Sequence, residues 1–317
     1  AVDPEDANRA AQCAVAAGAE EIAFSRAAVS NNSDLGILLS NLSEVPVHFE
    51  TASAATVHLL INRLNDRPGG LALSAGLDWS ADPDASASLL ERAPSSFAPF
   101  RIHAESFQES DATAVEEVGF ALTSGVDFLR EMQPRGLALE RAAASITFSF
   151  AMGPEFFMQA AKLRAFRLVW AQAAECFGVA RTSARARIYA RTSRSNRTVS
   201  DSHTNALRGT TEAMSAVVGG AESVFVEPFD ECCGTFPDDA SRRLARNTQI
   251  ILKQEAFLAR VADAAGGSYY VETLTDSIAA GAWKLLQEIE SAGGWRNAAK
   301  VITHRLEQRS SERQKKD

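Results

Sequence analysis

Residues 144 to 192 read ASITFSFAMGPEFFMQAAKLRAFRLVWAQAAECFGVARTSARARIYART, and they contain the clearest indication of fold class in the chain. Its first part, ASITFSF from Ala144 to Phe150, is a short apolar run typical of a strand that is buried on both faces. A predicted helix from Glu155 to Phe177 follows, and RARIYART from Arg185 to Thr192 predicts a second strand. Two strands separated by a helix of this length pair in parallel within one sheet, so the stretch is one β-α-β unit.

The same alternation continues in both directions along the chain and gives seven strand candidates in all. The other five strands are predicted at Glu20 to Ser25, Val45 to Glu50, Gly69 to Gly76, Phe100 to Ser106 and Glu222 to Pro228. The helices predicted between the strands include Pro4 to Ala17, Asn32 to Leu42, Ala54 to Leu64, Ala112 to Met132 and Ser202 to Val218. The stretch from Leu77 to Pro99 is interrupted by prolines and predicts an irregular excursion between strands.

This pattern favours an α/β fold, a (β/α)8 TIM barrel that spans residues 1–294. A barrel needs eight strands and the chain opens with a helix, so we expect the first strand upstream of residue 1. A doubly wound open sheet is the alternative that the same pattern allows. Residues 295–317 are predicted to form a C-terminal helix and the start of a linker, because the end of the chain is charged and poor in apolar residues.

Composition excludes several classes of protein. Hydrophobic residues make up 46% of the chain and charged residues 23%, which is typical of a soluble globular domain. The formal net charge of −8 argues against a nucleic-acid binder, and no apolar run is long enough for a membrane protein. The four cysteines, two of them adjacent at Cys232 and Cys233, indicate reduced thiols and a cytoplasmic location.

The chain lacks the common motifs of catalysis and metal binding. No Walker loop, GxGxxG or GxSxG motif occurs, and none of the five histidines has zinc-ligand spacing. His48 and His103 fall inside predicted strands, where a buried and hydrogen-bonded histidine is the more common case. DSHTNA, from Asp201 to Ala206, partly matches the DxHxxG loop that ligates cobalt in cobalamin-binding domains, but it lacks the glycine. We interpret Asp201 as a helix N-cap and predict no metal or cofactor site in this chain.

Four segments in the second half of the chain resemble the methylmalonyl-CoA mutase family, in the family's order and at its spacing. They are FFMQAAKLRAFRLVWAQ (Phe156 to Gln172), RGTTEAMSAVVGGAESVFVEPFDE (Arg208 to Glu231), RRLARNTQIILKQE (Arg242 to Glu255) and VADAAGGSYYVETLTD (Val261 to Asp276). A weaker match from Gln108 to Arg130 extends the resemblance upstream. The resemblance implies a barrel that takes an acyl-CoA along its axis, with adenosylcobalamin held by a separate flavodoxin-like domain.

The chain departs from the family's catalytic pattern at four places where barrel strands end. The resemblance puts Glu105 and Ser106 where catalytic chains carry a Tyr-His pair against the substrate thioester. The run from Thr192 to Ser195 replaces Thr-Ser-Gly and an aromatic, and the run from Phe225 to Glu227 replaces His-Thr-Asn. The stretch that grips the substrate carboxylate in the family has no counterpart between Gly76 and Phe100.

These departures resemble the small, non-catalytic subunit of the family's heterodimeric bacterial members. The resemblance then implies a chain that pairs with a homologous large catalytic subunit and supports the isomerisation of methylmalonyl-CoA and succinyl-CoA. No cofactor is expected in this chain, and adenosylcobalamin is expected on the partner subunit. Five residues would be degenerate equivalents of the substrate pocket, with no catalytic residue among them: Glu105, Ser106, Arg191, Ser193 and Phe225.

Two other functions stay open at this point. One is an active acyl-CoA-binding barrel subunit of a cobalamin-dependent acyl-CoA mutase, which works with a separate cobalamin-binding chain. The other is an acyl-CoA-binding module without turnover, in which Arg191 and Arg194 meet a CoA phosphate. Four residues in the matching segments are expected to preserve helix packing and salt bridges: Lys162, Arg164, Arg246 and Asn247.

Overall fold

The computed structural model describes residues 2–25, 29–66, 72–234 and 237–295, together with Ile302 and Leu306. Within that part of the chain, seven β-strands alternate with eleven α-helices. The strands are β1 (Ile22–Phe24), β2 (Val47–Phe49), β3 (Leu73–Leu77), β4 (Ala98–His103), β5 (Ile146–Met152), β6 (Arg187–Thr192) and β7 (Ser223–Phe225). The helices are α1 (Pro4–Ala16), α2 (Asn32–Leu38), α3 (Ala54–Asp66), α4 (Pro83–Arg92), α5 (Glu105–Glu109), α6 (Ala114–Met132), α7 (Leu139–Ala144), α8 (Phe156–Cys176), α9 (Thr204–Val218), α10 (Asp239–Gln254) and α11 (Tyr269–Ser291).

The prediction of seven strands is confirmed, and the strands form one sheet in the order β1 to β7. Neighbouring strands pair in parallel, for example with Ile22 opposite Val47 and Tyr189 opposite Ser223. A sequential order of parallel strands with crossover helices is that of a TIM-like barrel. The doubly wound alternative would reverse the strand order at a switch point, and this sheet does not. Part of the strand predicted at Gly69 to Gly76 lies outside the described residues.

The chain divides into two compact units, of which the first comprises residues 1–102, 128–147 and 178–183. Helix α3 illustrates how its core forms. Its buried residues are Val57, Leu60, Ile61 and Leu64, at the spacing that puts apolar side chains on one helical face. They belong to a core cluster that also contains Phe49 of β2. The apolar residues at helical spacing in α3 therefore form its buried face in the core of this unit.

The second unit comprises residues 103–127, 148–177 and 184–317, and aromatic rings fill its core around β5. The ring of Phe148 lies 4.6 Å from that of Phe166 and 4.8 Å from that of Trp170, both on α8. Phe150 packs on the other side of Phe166, with ring centroids 4.9 Å apart. A Cβ atom on Gly125 of α6 would come within 2.5 Å of the Trp170 ring, so this close approach requires glycine.

The prediction of an irregular stretch from Leu77 to Pro99 is wrong, because helix α4 occupies its middle, from Pro83 to Arg92. Pro83 is the first residue of that helix, where a missing N–H costs no helical hydrogen bond. The Asp82 side chain accepts a hydrogen bond from the backbone N–H of Ala85 at 2.9 Å and caps the helix. The proline that suggested a break therefore marks a helix start.

The predicted N-cap at Asp201 is also wrong in position. Helix α9 begins at Thr204, and His203 occupies the cap position without a side-chain capping bond. Asp201 instead accepts a hydrogen bond from the hydroxyl of Thr204. The helix predicted there is present, but it starts two residues later than the sequence suggested.

Most of the predicted C-terminal helix or linker lies outside the described residues. Ile302 and Leu306 are described, and both are helical and buried in a cluster with Phe120, Leu285 and Ile289. Within the part of the chain that the structure covers, no helix is both long enough and apolar enough to cross a membrane.

Candidate functional site

The first candidate residues lie where β4 ends. His103 is the last residue of β4, and it shares a hydrogen bond of 2.8 Å with the carboxylate of Glu105, which begins α5 and is 6% exposed. Burial raises the pKa of Glu105, but the hydrogen bond and charge of His103, with the Ser149 hydroxyl, outweigh it and hold the pKa below its ordinary value. Ser106 donates its hydroxyl to the carbonyl of His103 at 2.7 Å. Glu105 is therefore an anion, and Ser106 is used within its own turn.

A cluster of amide and hydroxyl groups follows β6. The hydroxyl of Ser193, a fully buried residue, donates to the Oε1 atom of Gln108 at 3.0 Å and lies 2.9 Å from the hydroxyl of Ser195. The Nε2 atom of Gln108 donates to the hydroxyl of Ser195 at 3.2 Å. Gln108 lies on α5, the helix that also carries Glu105. Helix α5 therefore connects the predicted residues at the end of β4 with those after β6.

Glu227 joins the ends of β6 and β7. Its carboxylate, in a residue that is 6% exposed, accepts hydrogen bonds from Arg191 and from the Nε atom of Arg194, the latter at 2.9 Å. The backbone N–H of Glu227 donates to the hydroxyl of Thr192 at 2.9 Å. Arg191 is buried in β6 and lies opposite the half-buried Phe225 of β7. The two departing segments after β6 and β7 therefore bind each other.

Residues 193–205, here called the β6 strap, run from the end of β6 into the first turn of α9, and Glu212 of that helix fixes them. Arg197 and Asn196 each donate a hydrogen bond of 2.6 Å to the Glu212 carboxylate. Arg197 also donates to two backbone carbonyls of the strap, at 2.8 and 2.7 Å. Glu212 is 1% exposed, and burial raises its pKa to about 7 although the Arg197 charge opposes the shift. The carboxylate that holds the strap therefore titrates near neutral pH.

Asn205 ties the end of the β6 strap to the loop after β7. Its side-chain Nδ2 atom donates to the carbonyls of Thr198 at 2.9 Å and Phe229 at 3.0 Å. Its Oδ1 atom accepts from the backbone N–H of Thr198 at 3.0 Å. Since Asn205 is 1% exposed, these bonds are shielded from water and fix both loops.

A buried ion pair joins α6, α8 and β5 in the same unit. The Nζ atom of Lys162 donates to the Glu117 carboxylate at 2.6 Å and to the carbonyl of Ala151 at 2.5 Å. The backbone N–H of Ala151 donates to the other Glu117 oxygen at 3.2 Å, and both charged side chains are at most 1% exposed. Burial raises the pKa of Glu117, and the Lys162 charge opposes that shift. Both carboxylate oxygens of Glu117 and the Nζ atom of Lys162 therefore have hydrogen-bond partners inside the protein.

The salt bridges predicted for Lys162 and Arg164 are confirmed. Lys162 pairs with Glu117, and Arg164 pairs with Asp263 and with Glu272, the latter at 2.7 Å. The equivalent role of the two residues on α10, Arg246 and Asn247, stays a prediction.

Sequence reasoning missed several partners of the predicted residues. Gln108 and Glu212 were not singled out, because an isolated amide or carboxylate in a helix carries no motif. Glu227 was noted as a departure but not as the partner of Arg191. The available signal was charge: an acidic residue at the end of β7 faces two arginines, Arg191 and Arg194, at the end of its neighbour β6.

The residues that partly match a cobalt-ligating loop do not fit that role. The ring of His203 stacks on Phe229 with centroids 4.9 Å apart, and Ala206, at the position of the loop's glycine, lies inside α9. Among the residues that the structure describes, no group of three or more His, Cys, Asp or Glu side chains could hold a metal ion.

Comparison with known proteins identifies the family. The methylmalonyl-CoA mutase family model matches residues 86–316. The chain belongs to the methylmalonyl-CoA mutase family. Within that family, it is 44% identical to the methylmalonyl-CoA mutase small subunit of Streptomyces virginiae over 212 residues, which are 66% of this chain and 34% of that relative.

Two further members of the methylmalonyl-CoA mutase family extend the comparison. The small subunit of Propionibacterium freudenreichii subsp. shermanii is 36% identical over 289 residues, 86% of this chain and 45% of the relative. The large subunit of Streptomyces virginiae is 40% identical over 192 residues, 60% of this chain and 26% of the relative. The chain thus spans less than half the length of each of these relatives.

Proposed function

We propose that this chain is the barrel part of the small subunit of a heterodimeric, adenosylcobalamin-dependent methylmalonyl-CoA mutase. In that complex a homologous large subunit carries the cobalamin and interconverts methylmalonyl-CoA and succinyl-CoA. The small subunit stabilises the large one and does not turn substrate over. Its seven strands belong to an eight-stranded barrel.

The observation that supports this proposal most directly is the pairing of Glu227 with Arg191 and Arg194. Arginines at the carboxyl end of a barrel strand are natural ligands for a substrate carboxylate or a phosphate. Here both guanidinium groups donate to one buried carboxylate of the same chain. A substrate anion would have to displace Glu227 and leave its charge buried, which is unfavourable.

Glu105 supports the proposal through its charge. Burial raises the pKa of Glu105, but His103 outweighs this effect and lowers the pKa below its ordinary value. Glu105 is therefore anionic at neutral pH. A dicarboxylate half-thioester such as methylmalonyl-CoA carries a negative charge of its own, and like charges at short range repel. Glu105 at the position of a thioester-binding residue therefore disfavours the substrate.

The names of the relatives support the choice of partner. Proteins named small and large subunit in Streptomyces virginiae both resemble this chain, at 44% and 40% identity. Two homologous barrels can pair through equivalent surfaces, as two copies of one chain do in an isologous dimer. A large subunit of the same family is therefore the partner we propose.

The test uses the purified chain alone and after mixing with a methylmalonyl-CoA mutase large subunit that is loaded with adenosylcobalamin. Size-exclusion chromatography with light scattering measures association, and turnover of methylmalonyl-CoA is assayed in the same fractions. We expect a one-to-one complex, and no turnover by this chain alone. Failure to associate, combined with acyl-CoA binding or turnover by this chain, would contradict the proposal and favour an active barrel subunit.

A further inference from the structure

Cys232 and Cys233 place two thiols side by side in the loop after β7. Both residues lie in the 3-10 turn Glu231–Cys233, and both are free and half-buried. The two thiols belong to consecutive residues of this one turn. Asn205 donates to the sulfur of Cys232 at 3.4 Å, and that thiol donates to the carbonyl of Thr198 at 3.5 Å. The sulfur of Cys232 is therefore held by two contacts, and the second thiol is that of the next residue in the chain.

Adjacent cysteines are poorly placed for a disulfide with each other. Neighbouring Cα atoms are about 3.8 Å apart across a trans peptide bond, whereas disulfides usually join Cα atoms about 4.4 to 6.8 Å apart. An additional atom between the two sulfurs enlarges the ring and relieves this mismatch. The pair is therefore better suited to chelating a thiophilic centre than to forming an S–S bond.

The number of available ligands narrows the class of that centre. In the described part of the chain no group of three or more His, Cys, Asp or Glu side chains could hold a metal ion. A cation that needs four protein ligands, such as structural zinc, therefore does not fit the two cysteines. A trivalent arsenic atom that carries one organic group needs only two sulfur ligands. Burial and the neighbouring Cys233 thiol raise the pKa of Cys232, which keeps it protonated and slows its oxidation.

We propose that Cys232 and Cys233 form a dithiol site that captures trivalent organic arsenicals. An arsenoxide, R–As=O, reacts with both thiols: two S–H bonds break, two As–S bonds form, and the oxygen leaves with the two protons as water. Arsenic stays trivalent, so the step needs no oxidant or reductant. The site does not depend on the subunit role proposed above.

The test is titration of the full chain with phenylarsine oxide, followed by intact-mass measurement and competition with thiols. The reference variant carries Cys13→Ser and Cys176→Ser, which remove the two exposed cysteines. We expect this variant to bind one arsenical per chain, in a form that excess glutathione leaves intact and dithiothreitol reverses. Adding Cys232→Ser or Cys233→Ser is expected to weaken binding at least about tenfold, because the second As–S bond then lacks an intramolecular thiol.

Circular dichroism of each variant checks that the fold is retained. Two results would overturn the proposal. One is equal affinity in the reference variant and in its Cys232→Ser derivative, both folded. The other is an arsenical adduct on the reference variant that glutathione removes as readily as it removes an adduct on a single thiol.

Discussion

Glu117 and Glu227 are both buried carboxylates that pair with cationic side chains. They differ in whether the sequence around the pair follows the family's pattern or departs from it. Lys162, the partner of Glu117, belongs to a segment that resembles the family, and the pair also bonds to the backbone of β5. Glu227 belongs to the run from Phe225 to Glu227, which departs from the family's catalytic pattern inside a family-like segment, and its partners are the side chains of Arg191 and Arg194. In this comparison the Lys162–Glu117 pair binds helices to the sheet, whereas Glu227 and its two arginines bind one another.

The largest effect is expected from breaking the Glu117 pair. Lys162→Met leaves the Glu117 carboxylate buried without a cation, and we predict a loss of about 3 to 5 kcal/mol in the free energy of unfolding, measured by urea denaturation. The matched control Lys162→Met with Glu117→Leu removes both charges and is expected to recover most of that loss. A loss below about 1 kcal/mol for the single variant would mean that this pair contributes no more to stability than a surface ion pair does.

The next effect depends on pH and concerns Glu212, which fixes the β6 strap. Its pKa is raised from 4.5 to about 7 by burial, so the native state binds a proton that the unfolded state has already released between these values. The stabilisation from this proton is complete below the unfolded pKa and is lost as the pH rises through the folded pKa.

The measurement is the free energy of unfolding of wild type and Glu212→Gln between about pH 5 and pH 8. We predict that wild type loses roughly 2.5 kcal/mol more than the variant across this range. A pH dependence that is the same in both proteins would show that Glu212 keeps an ordinary pKa in the folded state.

Breaking the Glu227 network tests the other side of the comparison. Glu227→Gln removes the charge that pairs with Arg191, and we predict a loss of about 2 kcal/mol in the free energy of unfolding. The control is Asp239→Asn, since Asp239 pairs with Arg242 while its side chain is 97% exposed; its cost should stay within about 0.5 kcal/mol. Equal costs for the two variants would remove the distinction between a buried network and a surface pair.

The smallest effect is expected in the first compact unit, at the start of α4. Asp82→Ala removes the N-cap bond to Ala85, and we predict a loss of about 1 kcal/mol, measured by urea denaturation. Asp82→Asn keeps a capping oxygen and should lie close to wild type. A stable Asp82→Ala variant would mean that the rest of the unit fixes α4 without the cap.

The sheet could be predicted from sequence because its strands are short apolar runs at regular intervals. The run at β5 is buried at all seven of its residues, and so it stands out without knowledge of its neighbours. Helix α4 could not be found in the same way, because the prolines from Leu77 to Pro99 suggest irregular structure, whereas Pro83 is the first residue of the helix. A local stretch of sequence therefore predicts buried apolar strands more reliably than it predicts the residue at which a helix begins.

The candidate site was only half accessible to sequence reasoning. The resemblance marked Arg194 and Phe225 as positions that differ from the catalytic pattern, but pairing depends on which strands are neighbours. Arg191 and Glu227 are 36 residues apart in sequence and meet because β6 and β7 are adjacent in the sheet. Contacts of this kind follow from strand order, and they become predictable once that order is known.

The most direct test of the account is turnover by a reconstituted complex in which only this chain carries Glu227→Gln. The complex contains an adenosylcobalamin-loaded large subunit, and light scattering verifies that it stays assembled. If Glu227, Arg191 and Arg194 serve structure alone, kcat for methylmalonyl-CoA should stay within about twofold of the complex with the unaltered chain. A loss of kcat of about tenfold or more in an intact complex would contradict the account and place these residues in the reaction.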